Sequence, residues 1–142
     1  MPEKILVVDD DRIALGNLCQ FLNEEGYEVE YAADGLQALR LLEENTFHLV
    51  LSDIFMPKMD GFRLLDHVRS RFANTPIILM TADFTLGAPA ALYRRADDYL
   101  VKPLDLEKLL HKVRAVLDEH KRYSYFENDS APRTKKSNRR RF

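Results

Sequence analysis

Five short apolar runs punctuate the chain, and each gives way within two residues to a polar one. Ile5-Leu-Val-Val8 is rich in β-branched residues and predicts a strand buried on both faces. It ends abruptly at Asp9-Asp10-Asp11. Val29-Glu30-Tyr31-Ala32 is less apolar and is expected at a sheet edge. Leu49-Val50-Leu51 leads to Asp53, Ile77-Ile-Leu-Met80 ends at Thr81, and Asp98-Tyr99-Leu100-Val101 is followed at once by Lys102-Pro103. Between the runs the apolar period becomes that of a helix. Asp11 is placed to cap a helix carrying Ala14, Leu18, Phe21 and Leu22 on one face, which Gly26 ends. Asp34-Gly35 opens a second helix, with Leu36, Leu39 and Leu42 in line, and Phe62, Leu65, Val68 and Phe72 form the stripe of a third. The last begins near Asp105 and carries Leu106, Leu109, Leu110, Val113, Val116 and Leu117. The helical signal is weakest from Asp83 to Arg95, where Gly87 and Pro89 interrupt it; a short fourth helix is expected from Pro89 through Tyr93.

Strands alternating with helices call for an α/β fold, a parallel sheet with helices on both faces. One domain accounts for residues 1–122. From 123 to 142 the apolar pattern stops and the chain is basic and contains Pro132, so a flexible, disordered tail or linker is expected. Charge sharpens that division. Residues 121–142 carry eight Lys and Arg, whereas the first 120 residues hold 13 basic against 21 acidic side chains. A body this acidic does not bind nucleic acid by charge alone. The tail is too short and too polar for a helix-turn-helix, so direct DNA binding is not expected. Cys19 is the only cysteine, which excludes an internal disulfide and points to a reducing compartment. The N-terminus lacks the form of a signal peptide, and no run is long enough to span a bilayer, so a soluble cytoplasmic chain is expected.

Candidate chemistry gathers where the strands end. Ligands of an open parallel sheet bind beyond the carboxyl ends of its strands. Asp9 and Asp10 follow the first strand, Asp53 the third, Thr81 closes the fourth and Lys102 follows the fifth. Singly, each has an ordinary explanation, since aspartates cap helices and lysines are usually solvated. Together on one edge they form a cluster with a definite chemistry. Carboxylates within about 5 Å repel by roughly 3 kcal/mol per pair at an effective dielectric of about 20, so they stay ionised together only around a cation. All-oxygen donors suit Mg²⁺. A metal, a lysine and a hydroxyl around one carboxylate form a site for a transferring phosphoryl group, with the carboxylate as nucleophile. None of His48, His67, His111 and His120 pairs with these acids at metal-ligand spacing, which argues against zinc.

VVDDD at 7–11, SDIFMPKMDG at 52–61, MTA at 80–82 and DDYLVKP at 97–103 together resemble the receiver domain of two-component response regulators, across about residues 3–120. The resemblance implies a flavodoxin-like, doubly wound five-stranded sheet in the order 2-1-3-4-5. It implies that Asp53 accepts a phosphoryl group from a sensor histidine kinase or phosphotransfer protein. Asp10, Asp53 and the backbone carbonyl of Phe55 would hold Mg²⁺, with Asp9 binding directly or through water. Thr81 and Lys102 would turn to the phosphoryl oxygens, and Tyr99 would rotate inward with Thr81. The face of the fourth helix, fifth strand and last helix would then change for a downstream protein target, a missing output domain, or a second copy in a phosphorylation-dependent homodimer. Autophosphorylation and slow autodephosphorylation are implied, although the role is mainly that of a switch. Pro103 would follow Lys102 through a cis bond.

Departures from the pattern are equally specific. Arg95 stands where a glycine is usual, and Gly87 and Pro89 imply a short or displaced fourth helix, hence an altered output face. Phe55 and Asp83 each stand two residues past a site residue, where the resemblance implies that they would flank the route of the hydrolytic water, and Phe55 is expected to prolong the acyl phosphate. Two rival functions share parts of this pattern. A haloacid-dehalogenase-type phosphatase would need D-x-D-x-T, and the threonine is missing after Asp9-Asp10-Asp11. A pseudo-receiver acting only as an interaction module would not need all five site residues.

Overall fold

The two faces of the sheet are already sorted in the strand sequences, because successive side chains of a strand point to opposite sides. A computed structural model of the chain describes residues 2–82 and 95–129, with side chains described through residue 122. The strands are β1 (Lys4–Val8), β2 (Glu28–Ala32), β3 (Leu49–Asp53), β4 (Ile77–Thr81) and β5 (Asp98–Val101). The described helices are α1 (Arg12–Glu24), α2 (Gly35–Glu44), α3 (Gly61–Arg71) and α4 (Leu106–Asp129). All strand pairs are parallel, in the order β2-β1-β3-β4-β5, as the resemblance implied. β2 is an edge strand, as its weaker apolar content predicts.

Leu6, Val8, Val50, Ile77 and Leu79 face α2 and α3, where Ala38, Leu42, Leu64, Leu65 and Val68 meet them. Ile5, Val7, Leu49, Leu51, Ile78 and Met80 face α1 and α4, against Leu15, Leu18, Leu22, Leu109, Val113 and Leu117. Burial on both faces is why the central strands are apolar throughout instead of alternating. Asp11, Asp34 and Asp60 cap α1, α2 and α3, each accepting from a backbone N–H of the first turn. The Asp105 carboxylate accepts from the N–H groups of Glu107 and Lys108 at the start of α4.

The helices form where expected but turn slightly differently. In α2 the buried positions are Gly35, Ala38 and Leu42, while Leu36 is exposed and Leu39 half-buried. The helix start comes so close to Met59 of the β3–α3 loop that no Cβ would fit at position 35, so Gly35, and not Leu36, faces the core. In α1, Leu15 joins the core and Ala14 and Phe21 lie at its margin. Leu106 is exposed at the start of α4. That helix continues past Tyr123, where the tail was expected to begin, to Asp129. No Pro or Gly lies between those positions to break it. The predicted fourth helix, from Pro89 to Tyr93, and the tail beyond Asp129 lie outside the described residues.

Candidate functional site

Strand register brings the polar residues to one edge. Val8 pairs with Ser52, so Asp9 and Asp53 leave neighbouring strands side by side. Asp53 pairs with Met80, and Thr81 pairs with Val101, so Thr81 and Lys102 follow in the same staggered row. The Lys102 N–H donates to the Thr81 carbonyl at 2.7 Å, which carries the β4–β5 pairing to the last residue before the cis Lys102–Pro103 bond.

Lys102 sits between two acids. Its Nζ donates to Asp9 Oδ2 at 2.9 Å and to Asp53 Oδ2 at 3.2 Å. Asp53 Oδ1 accepts from the N–H of Ile54 at 3.1 Å, and Asp9 Oδ1 from that of Asp11 at 3.0 Å. Asp53 is only 9% exposed; Asp9 and Thr81 are buried and Asp10 is exposed. One carboxylate oxygen from each of Asp9, Asp10 and Asp53 lies within 4.8 Å of the other two.

Burial raises the Asp53 carboxyl to about 6, with the Asp9 charge adding to the rise and the charge and hydrogen bond of Lys102 opposing it. Burial also pulls down the Lys102 ammonium, but its hydrogen bond to Asp9 and the charges of Asp53 and Asp9 outweigh that, and the net shift is upward. One lysine thus leaves the acids incompletely neutralised. The donor set is oxygen only and partly open to solvent through Asp10, which fits a hard divalent ion such as Mg²⁺.

The acceptor loop is tightly seated. The Gly61 N–H donates to the Ile54 carbonyl at 2.7 Å, and a Cβ at Gly61 would lie 2.4 Å from the Asp53 carbonyl oxygen. Phe55 is 53% exposed on that loop, two residues beyond Asp53. Tyr99 is 42% exposed, with Lys112 Nζ 5.4 Å from its ring centre. The same Nζ donates to the Tyr99 carbonyl at 3.0 Å and pairs with Asp98 at 2.9 Å. Lys112 was not singled out from the sequence; its partners lie on another element, and no local pattern marks the contact. Asp83 lies outside the described residues, whereas Arg95 is described and pairs with Asp66 of α3 at 2.7 Å.

The chain matches the family model for the response regulator receiver domain over residues 5–114. It is 44% identical over 118 residues to the response regulator MprA of Mycobacterium sp. strain KMS, covering 82% of this chain and 51% of that protein. The chain therefore spans about half the length of the curated relatives it matches. Among solved structures it resembles a CheY-like receiver domain protein from Methanospirillum hungatei, with a TM-score of 0.82, 34% identity, and 87% of this chain and 99% of that chain covered. It also resembles the response regulator TrrA of Thermotoga maritima, solved in complex with Mg²⁺ and BeF, with a TM-score of 0.74, 33% identity, and 80% and 98% covered. The phosphatase and pseudo-receiver readings find no support among these relatives. Nor do the relatives support the expectation that direct DNA binding is absent, since half of each curated relative lies beyond the match.

Proposed function

Since the chain belongs to the response regulator receiver domain family, we propose that it accepts a phosphoryl group on Asp53 and uses the modified site to change its contacts with a partner. The observation that carries this is the pairing of Lys102 with both Asp9 and Asp53 beside a three-carboxylate cluster. On this reading Asp10, Asp53 and the backbone carbonyl of Phe55 would hold Mg²⁺, with Asp9 binding it directly or through water. When bound, the ion neutralises charge on the transferring phosphoryl oxygens.

A carboxylate oxygen of Asp53 attacks phosphorus, and the bond from phosphorus to the donor breaks. With a phosphohistidine donor, the electron pair returns to the imidazole nitrogen, which takes up a proton. The product is an acyl phosphate. Lys102 shifts from its carboxylate partners toward the new phosphoryl oxygens, and the Thr81 hydroxyl donates a hydrogen bond to them. Tyr99 follows Thr81 inward, altering the surface that β5 and α4 present. The phosphoryl group biases an equilibrium between two existing states. TrrA, which carries Mg²⁺ and BeF, supports the choice of ion, since beryllium fluoride is a small anion of phosphoryl-like shape.

The same reading gives the chain a sensor histidine kinase or phosphotransfer protein as donor and a protein, an output domain or a second copy as recipient. It assigns the receiver to residues 1–122 and the tail to 123–142, and places the chain's work in the cytoplasm. Incubation with acetyl phosphate and MgCl₂, followed by intact-protein mass spectrometry, tests it. Wild type should gain one phosphoryl group and Asp53→Ala none. Incorporation that survives in Asp53→Ala would remove the assignment.

A further inference from the structure

Gly35, at the start of α2, is a tight contact outside the phosphoryl site. A Cβ there would lie 2.4 Å from the Met59 carbonyl oxygen and 2.8 Å from the Met59 Cβ. Neither neighbour is a flexible side-chain end that could swing away. Met59 is itself buried, and its N–H donates to the Pro57 carbonyl at 2.7 Å. The residue before it, Lys58, has a φ of 69°, in the left-handed region, and its ammonium lies 3.6 Å from the Asp34 carboxylate that caps α2. The Lys58 side chain is largely exposed, so that ion pair contributes little and the backbone contact at Gly35 dominates.

The loop from Ile54 to Asp60 is held at two places. Ile54 is tied at its start, its N–H donating to the Met80 carbonyl at 2.9 Å and its carbonyl accepting from the Gly61 N–H, while Met59, further on, rests against Gly35. Phe55 lies between Ile54 and Met59, with a side chain too exposed to anchor itself. The position of its carbonyl is therefore set by where the loop is stopped. We infer that Gly35 and Met59 are positioning residues for the Mg²⁺ site, the start of α2 acting as an abutment that sets how near the Phe55 carbonyl stands to Asp53. The inference rests on the reading of Phe55 as a metal ligand. It extends that site to a helix that contributes no ligand. A Cβ at position 35 pushes the loop outward; Met59→Ala keeps the backbone contact but removes the buried side chain, from Cγ outward, that packs the loop against the start of α2, and either way the carbonyl leaves its place.

The test is an Mg²⁺ titration followed by amide chemical shifts in NMR, with acetyl phosphate kinetics over the same Mg²⁺ range. Gly35→Ala and Met59→Ala should each weaken Mg²⁺ binding at least fivefold, while phosphorylation at saturating Mg²⁺ stays within about twofold of wild type. Leu42→Ala, which opens a cavity further along α2, should lower Tm and leave Mg²⁺ affinity unchanged. If Gly35→Ala does not fold, Met59→Ala decides. Wild-type Mg²⁺ affinity in whichever of the two folds overturns the inference, and so does an equal loss of affinity in Leu42→Ala. Failure of the reading beneath it would look different: wild type itself would show no saturable Mg²⁺ shifts around Asp53.

Discussion

Between about pH 4 and 6 the folded protein holds a proton on Asp53 that the unfolded chain would release, because burial raises this carboxyl to about 6 from an ordinary 3.8. The sign follows directly: the folded state binds more protons in that window, so stability from this group falls as pH rises through it. At neutral pH and without metal, the ionised Asp53 is a liability. Asp53→Asn should therefore stabilise the metal-free protein on the order of 2 kcal/mol in urea denaturation at pH 7.5, once the weakened Lys102 contact is set against the full shift. Saturating Mg²⁺ should erase the advantage, and a less stable Asp53→Asn would contradict it. Phe55 makes a second residue-scale prediction. Its ring is exposed two residues beyond the proposed acceptor, so Phe55→Asn should speed loss of the phosphoryl group severalfold by admitting and orienting water, read as the decay of phosphoprotein after the donor is removed. The placement of Asp9, Asp10, Asp53, Thr81 and Lys102 at one sheet edge was legible from the sequence because each stands within two residues of the end of an apolar run. Lys112 and Gly35 were not, since their importance comes from contacts across elements that no spacing reveals.

Strands were read more faithfully than helix faces, for a physical reason. A strand buried on both sides is apolar at every position, so the run itself defines it, as at β4. A helix face depends on what lies beneath it, and in α2 a backbone contact rotated the buried stripe from Leu36 to Gly35 and Ala38. The start of α3 is equally constrained. Gly61→Ala would drive a Cβ against the Asp53 carbonyl, and a loss of about 1–3 kcal/mol is expected in thermal or urea unfolding. The contact between α4 and β5 bears on the proposed switch. Lys112 Nζ lies over the partly exposed Tyr99 ring and donates to the Tyr99 carbonyl, so it would oppose the inward turn of that ring that the proposed function requires. A cation over an exposed ring is worth about 0.5–1 kcal/mol, so Lys112→Met should favour the inward ring and raise the acetyl phosphate reaction rate roughly two- to fivefold. An unchanged rate would show that Lys112 does not restrain the switch.

For the molecule as a whole, ligand binding and stability are linked through mass action. Mg²⁺ at about one hundred times its Kd should add roughly 2.7 kcal/mol, enough to raise Tm by several degrees in a domain of this size. Beryllium fluoride with Mg²⁺ should raise it further, and Asp53→Ala should abolish that additional rise, measured by differential scanning fluorimetry. Among the described residues, the site is confined to the carboxyl ends of the strands, and Asn45-Thr46 and Ala73-Asn74 lie in turns at the opposite end. That separation gives the protein a working end and a handle. A dye, a peptide tag or a surface tether placed in those distal turns would leave the acid pocket facing solution, so the parallel sheet that assembles the chemistry also offers an attachment point for watching it one molecule at a time.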